Sequence, residues 1–170
     1  MDPANEQAFR DFVAARSSAL LRTAFLLVGD RGRAEDLVQT ALVKTYVAWG
    51  RIRDPEALEG YVRRTLATTA TSWWRRKSSS ERPLDQFPEV AGADEIGARL
   101  DRDVMWEHLA SLPAKQRAVL VLRYYEGLGE AEIADTLRIS RGTVKSHASR
   151  ALAALRRRLD GEHAETGVRQ

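Results

Sequence analysis

Apolar residues recur at intervals of three and four along the first half of the chain, which is the spacing of an amphipathic α-helix. The pattern is interrupted by turn-forming residues at Gly29-Asp30, at Gly50 and in the loop Arg51–Pro55. It therefore predicts three helices, at about residues 6–28, 32–49 and 56–77. One face of the second helix would pack through Ala34, Leu37, Val38, Ala41, Thr45 and Trp49.

The helical periodicity resumes in the second half, after a segment that lacks it. Residues 78–97 are rich in serine, proline, glycine and acids, a composition typical of a linker. Beyond this segment the spacing predicts helices at about residues 98–110, 112–125, 130–137 and 141–159. We therefore predict an all-α fold of two small helical domains, 1–77 and 98–160, joined by a flexible linker, 78–97, and followed by a disordered tail, 161–170.

Residues 130–159 combine a short helix, a break at Arg138-Ile139-Ser140 and a longer helix. Ser140 can cap the longer helix, because its hydroxyl accepts a hydrogen bond from a backbone N–H left free at the helix start. An apolar stripe on that helix consists of Val144, Ala148, Ala151, Leu155 and Leu159. The opposite arc is polar and basic, and no acid occurs between Arg138 and Leu159. This arrangement is typical of a helix-turn-helix, whose second helix lies in the major groove of DNA.

The polar arc provides the candidate contacts to DNA. They are Arg141, Thr143, Lys145, Ser146, Ser149 and Arg150. Long cations can reach phosphates or guanine edges, and short hydroxyls allow a close approach. The alternative is an ordinary amphipathic helix with a solvated basic face. Because the short helix, the break, the cap and the stripe coincide, the pattern favours DNA binding.

The third predicted helix ends in the run Trp73-Trp74-Arg75-Arg76-Lys77. Neighbouring side chains on a helix point about 100° apart, so both tryptophans cannot face a core squarely. Aromatic faces among cations suit the stacking of bases in single-stranded nucleic acid. The run alone is equally compatible with two tryptophans that anchor the core and a basic helix end that is merely solvated.

Composition and charge exclude several classes of function. The chain has 170 residues, of which 44% are hydrophobic and 30% charged, enough for one domain or two small ones. Its net charge is +3 and its pI about 9.5, and the clustering of the basic residues indicates a polyanionic partner. There are no cysteines and the three histidines are scattered, so we expect no metal and no other cofactor. With no signal peptide and no apolar run of about 20 residues, we expect a cytoplasmic protein and no contact with a membrane.

Three motifs together resemble the extracytoplasmic-function, or group-four, sigma factors of bacterial RNA polymerase. RAEDLVQTALVKTY, Arg33–Tyr46, is similar to the region-two helix that docks on the coiled coil of the polymerase's largest subunit. YVRRTLATTATSWWRRK, Tyr61–Lys77, is similar to the helix that helps to open the minus-ten promoter element. The stretch Leu112–Leu152 resembles region four, which reads the minus-thirty-five element. The resemblance extends over nearly the whole chain, from about Phe9 to Leu159.

The resemblance implies a promoter-specificity factor that binds core polymerase at the coiled coil and the flap, helps to melt promoter DNA and is not an enzyme. It also suggests an anti-sigma protein as a further partner. The docking residues would be Glu35, Asp36, Leu37 and Gln39. The minus-ten contacts would be Arg53, Arg64, Thr68, Trp73, Trp74, Arg75 and Arg76. Without the resemblance, Glu35 and Asp36 would be assigned to the favourable effect of acids near a helix N-terminus.

Two departures from the family pattern carry physical expectations. Arg138 occupies a turn position that is often glycine, which predicts some left-handed backbone strain. His147 stands where arginine is common, which would remove one phosphate contact.

Two other functional classes compete with this interpretation. A helix-turn-helix regulator with an N-terminal helical sensor or dimerisation domain would share Glu130–Leu159, but the first half lacks the α/β pattern of a phosphoacceptor domain. An enzyme would need a nucleophile with its base, a metal-ligand spacing or a glycine-rich phosphate loop, and the sequence contains none of these.

Overall fold

The computed structural model describes residues 2–77 and 104–167, and of residues 74–77 it describes only the helical backbone. Every regular element in these residues is helical. The chain divides into two compact units, Met1–Gln86 and Phe87–Gln170. The predicted linker, 78–97, and the predicted start of the following helix lie outside the described residues.

Residues 2–77 of the first unit form three helices that begin and end at residues suited to those positions. α1 spans Pro3–Val28 and ends at Gly29, whose φ of 77° is left-handed. α2 spans Arg31–Ala48, and the carboxylate of Asp30 caps it by accepting a hydrogen bond of 2.9 Å from the backbone N–H of Arg33. A turn of 3₁₀ helix, Trp49–Arg51, then leads to α3, Pro55–Lys77.

The three helices pack around an apolar core, to which α2 contributes the face that its sequence predicts. The buried side chains include Leu20, Ala24, Leu27, Leu37, Ala41, Val62, Leu66 and Ala70. Among the buried threonines, Thr23 and Thr45 each donate the hydroxyl hydrogen to a carbonyl four residues earlier, Thr23 to Ala19 and Thr45 to Ala41. These bonds satisfy the hydroxyls, which would otherwise destabilise the core.

Residues 104–167, the described part of the second unit, form four helices and a π-helical turn. α4 covers residues 104–110 of the described chain, and α5 spans Ala114–Leu120. The π-helical turn Val121–Tyr125 follows α5 directly. α6 spans Glu130–Leu137 and α7 spans Arg141–Gly167. Their shared core includes Val119, Leu122, Ile133, Val144, Ala148 and Ala151.

A buried arginine lies where α4 meets α5. The guanidinium of Arg117 lies 4.7 Å from the centre of the Trp106 ring and donates a hydrogen bond of 3.4 Å to the Leu112 carbonyl. Burial lowers the pKa of Arg117 to about 10, so the side chain stays charged at neutral pH. Since a buried cation is costly without partners, the aromatic ring and the carbonyl help to offset its desolvation.

Two expectations from the sequence are wrong at the end of α7. The helix continues to Gly167, eight residues past the predicted end at Leu159, so the tail is helical, not disordered, over residues 161–167. Leu159 is 41% exposed and does not join the buried stripe, and Leu155 is only half-buried. The stripe therefore stops contributing fully to the core after Ala151, while the helix itself extends beyond the core.

Candidate nucleic-acid interface

α6, a three-residue turn and α7 form the predicted helix-turn-helix. Arg138 follows α6 with φ 56° and ψ 47°, the left-handed conformation that its sequence position predicts. This turns the chain, and the N–H of Ile139 donates a hydrogen bond of 3.0 Å to the Ala134 carbonyl. Ser140 caps α7 as expected, because its Oγ accepts a hydrogen bond of 3.1 Å from the backbone N–H of Thr143.

α7 separates a buried side from an exposed one. Val144, Ala148 and Ala151 face the core and are at most 4% exposed. The candidate DNA contacts Arg141, Lys145, Ser146, Ser149 and Arg150 are all exposed. Thr143 is half-buried, and its hydroxyl lies 2.8 Å from that of Ser140, so it belongs to the cap as much as to the exposed face. The five exposed candidates thus lie on one continuous arc of about 180° around α7, from Arg141 to Arg150.

The charge on this exposed face is almost entirely positive along the sequence, and one acid from α6 joins it in space. Glu130 Oε1 lies 3.7 Å from Lys145 Nζ. Further along α7, Arg156 and Arg157 are exposed, whereas Arg158 Nε lies 3.5 Å from Glu162 Oε1. The helix thus presents cations well beyond the predicted contacts, and the Glu130 contact could not be inferred from two positions 15 residues apart in the sequence.

His147 lies beside this exposed face, and its pKa is lowered. Its side chain is half-buried, and burial, together with the charges of Lys115 and Arg150, lowers its pKa below the ordinary value of 6.5. The imidazole is therefore mainly neutral at pH 7. A neutral imidazole adds no positive charge that would attract a phosphate.

The docking candidates on α2 do not all face solvent. Glu35, Asp36 and Gln39 are exposed, and Glu35 also forms an ion pair of 3.2 Å with Arg31 one turn earlier. Leu37 is completely buried in the core of the first unit. The assignment of Leu37 as a docking residue is therefore corrected, because its side chain packs between helices and offers no surface to a partner.

The minus-ten candidates on α3 are spread over different sides of the helix. Arg53, in the loop before α3, and Arg64 are exposed, and the hydroxyl of Thr68 donates a hydrogen bond of 2.8 Å to the Arg64 carbonyl. Trp73 is half-buried, and at 100° per residue it lies about 180° around the helix from Arg64. That is the side of buried Leu66, so the structure favours a packing role for Trp73. The side chains of Trp74, Arg75 and Arg76 lie outside the described part of the chain.

Neither a metal centre nor a membrane span occurs in the described residues. Within residues 2–77 and 104–167, no group of three or more histidine or acidic side chains could hold a metal ion. No helix in those ranges is both long enough and apolar enough to traverse a bilayer.

Comparison with known proteins gives a family to each half. The family described as "Sigma-70 region 2" matches residues 12–80, and "Sigma-70, region 4" matches residues 102–155. The RNA polymerase sigma-E factor of Streptomyces avermitilis is 43% identical over 152 residues, which cover 89% of this chain and 85% of that protein. The ECF RNA polymerase sigma factor SigL of Mycobacterium tuberculosis is 36% identical and covers 82% of each chain.

A solved structure shows the same fold at lower sequence identity. It is the sigma factor RpoE in complex with the anti-sigma factor NepR from Bartonella quintana, with a TM-score of 0.69 and 23% identity. The match covers 91% of this chain and 98% of that one.

Proposed function

The chain belongs to the extracytoplasmic-function sigma factors of the sigma-70 family, and on this basis we propose which of its described residues contact core polymerase and which contact promoter DNA. The protein is a promoter-specificity factor that binds core RNA polymerase, recognises promoter DNA and helps to melt it. It is an initiation factor and not an enzyme, since the polymerase core makes the phosphodiester bonds.

The exposed face of α7 reads the minus-thirty-five element as duplex. The observation that carries this proposal is the opposition of Val144, Ala148 and Ala151 in the core to an exposed arc of cations and hydroxyls on the same helix. Lys145 and Arg150 are long enough to reach base edges or phosphates, and the small side chains of Ser146 and Ser149 let the helix lie deep in the groove.

The outward side of α2 docks on the coiled coil of the polymerase's largest subunit. Asp36 and Gln39 are exposed and lie one turn apart on the helix, opposite the face that packs against α1 and α3. Glu35 flanks them, but its carboxylate already pairs with Arg31. We therefore expect Asp36 to contribute more than Glu35 to the association with core, since the Glu35 ion pair would have to be exchanged.

The loop before α3 and the outward side of that helix contact the minus-ten element. Arg53 and Arg64 are exposed and can bind the backbone of the opened strand. Thr68 lies one turn after Arg64, and its half-buried hydroxyl is already engaged by the Arg64 carbonyl, so we assign it to positioning of the helix surface. Trp73 is assigned to packing.

The domain limits are part of the proposal. Region two would occupy residues 1–77 and region four residues 98–160, with 78–97 as the connection between them. The matches to the two family regions end and begin at residues 80 and 102, which supports a boundary inside this segment. The protein would act in the cytoplasm, where the polymerase and its promoters are found.

An anti-sigma protein is a further proposed partner. The support is the RpoE structure, in which a sigma factor of the same fold is bound to the anti-sigma factor NepR. Purification of the tagged chain from its own host tests the proposal. A second protein bound only to polymerase-free chain, and able to suppress transcription when added back, is the expected result. Polymerase-free chain that is recovered alone and is fully active would contradict it.

Transcription in vitro tests the function directly. Core polymerase is incubated with the chain and a library of genomic fragments, and a reaction without the chain is the control. We expect new transcripts whose start sites share paired upstream elements. DNA binding without any transcript that depends on the chain would favour the regulator alternative and require a new interpretation of the first unit.

A further inference from the structure

Lys145 is the single lysine between Arg138 and Leu159, and in the folded chain it does not stand alone. Glu130, the first residue of α6, places Oε1 3.7 Å from Lys145 Nζ. The Lys145 side chain is 70% exposed, and the Glu130 side chain is 28% exposed. The Glu130 carboxylate therefore lies beside the exposed face of α7 on a largely covered side chain, while the exposed Lys145 ammonium group is free to move away from it.

The ion pair between Lys145 and Glu130 is weak enough for Lys145 to exchange Glu130 for another anion. Its free energy is still large enough to change a binding equilibrium. An exposed ion pair of this kind shifts an equilibrium by about 1.5- to 5-fold. The phosphates of any duplex attract Lys145 irrespective of sequence, and such contacts account for most non-specific binding. Each of them would separate Lys145 from Glu130 or bring the Glu130 carboxylate close to a phosphate. Both outcomes cost free energy, which would weaken binding to a duplex that Lys145 contacts only through phosphates.

A matching sequence can repay the cost. In the major groove, a lysine donates to the O6 and N7 acceptors of guanine, and a glutamate accepts from the N4 amino group of cytosine. Adjacent base edges of these two kinds could satisfy both side chains without separating them. We propose that Glu130 is a specificity-determining residue, which restrains Lys145 from general phosphate binding and so widens the difference in affinity between the minus-thirty-five element and other duplex DNA.

The proposal rests on the proposed role of α7, and the chain offers a matched control. Glu132 is also an acid in the first turn of α6, and it is exposed. Glu130→Gln and Glu132→Gln therefore remove the same charge from the same helix terminus. They differ in that only Glu130 is paired with Lys145 in the structure.

The experiment uses holoenzyme reconstituted from core polymerase and the full chain. Two promoter fragments are compared by competition binding, one with its native minus-thirty-five element and one with that element scrambled. For Glu130→Gln we expect affinity for the scrambled fragment to rise by about 1.5- to 5-fold, with a salt dependence steeper by about one counterion. Affinity for the native fragment should stay constant or fall, so the ratio of the two affinities decreases. Glu132→Gln should leave the ratio unchanged.

A Lys145→Ala background makes the test specific. With the lysine removed, Glu130→Gln should no longer change the ratio. Equal effects of Glu130→Gln and Glu132→Gln on both fragments, or an undiminished effect in the Lys145→Ala background, would overturn the proposal in favour of a simple change in net charge. Wild-type holoenzyme that does not distinguish the two fragments would instead contradict the proposed role of α7. Thermal unfolding of each variant verifies that the fold is retained.

Discussion

Replacing Arg138 by glycine should stabilise the second unit. Arg138 connects α6 to α7 with φ 56°, and it is the one non-glycine residue with a positive φ in residues 2–77 and 104–167. In this conformation the Cβ atom of an L residue approaches the following carbonyl oxygen. Glycine lacks that atom and adopts the same conformation without the clash.

Two opposing contributions determine the size of the effect. The left-handed conformation costs a residue with a Cβ roughly 1–2 kcal/mol. Glycine loses more conformational freedom on folding, which costs about 0.4–1 kcal/mol relative to alanine. The difference ranges from about 0 to 1.6 kcal/mol, with a midpoint of about 0.8 kcal/mol in favour of glycine. For a unit of this size, the midpoint corresponds to a rise in Tm of roughly 3–6 °C.

The assay is thermal unfolding of the full chain, combined with hydrogen exchange of the Val144 and Ala148 amides, which assigns the transition to the second unit. Arg138→Ala is the control, because it removes the same exposed guanidinium and keeps the left-handed strain. We expect Arg138→Gly to be more stable than Arg138→Ala and than wild type. If the two variants unfold at the same temperature, the strain in the turn does not exceed the conformational entropy that glycine loses on folding, and the predicted stabilisation is refuted.

Three further predictions test the other assignments. Lys145→Ala and Arg150→Ala should both weaken binding to the minus-thirty-five duplex. A side chain that reads a base should cost about 1–3 kcal/mol and alter the sequence preference, whereas one that binds a phosphate should lower affinity for all sequences and reduce the salt slope. Unchanged affinity in both variants would reject the exposed face of α7 as the DNA-binding surface. Asp36→Arg should reduce recovery of core polymerase in a pull-down, whereas Asp11→Arg, at an exposed acid of α1, should not. The pKa of His147 is lowered in the folded chain, so the unfolded chain takes up a proton first as the pH falls through 6.5. Stability to urea should therefore decrease below that pH, and less so in His147→Gln; an identical pH dependence would contradict this.

Local signals explain why the helix-turn-helix could be predicted closely from the sequence. The cap at Ser140, the break before it and the stripe from Val144 to Ala151 are each set by residues within one or two helical turns. The end of α7 could not be predicted in the same way. Gly161 costs a helix about 1 kcal/mol relative to alanine, and the apolar stripe fails at Leu159. The ion pair between Arg158 and Glu162 lies across that glycine and supports the helix that continues through it.

Contacts between residues that are distant in the sequence could not be predicted, because local patterns do not specify which helices meet. The sequences of α4 and α5 do not predict that Arg117 lies over Trp106, since an arginine in a helix is usually exposed. The helical periodicity placed Leu37 on the packing face of α2, and it is buried there. The resemblance to a docking motif instead assigned Leu37 to the surface that contacts the polymerase. Where the two criteria disagreed, the periodicity gave the correct position of the side chain.

The position of Trp73 has a consequence for DNA opening. Unstacking a base costs a few kcal/mol, and stacking it on an aromatic ring returns about 1–3 kcal/mol. With Trp73 on the packing side of α3, that ring is not placed to recover the cost, and the exposed Arg53 and Arg64 offer mainly backbone contacts. Such contacts stabilise a strand that is already open, but they contribute little free energy to the opening itself, because the phosphates of closed duplex attract the same cations. Arg53 and Arg64 are therefore suited to trapping the opened minus-ten strand, and we expect the isolated chain not to open promoter DNA without core polymerase.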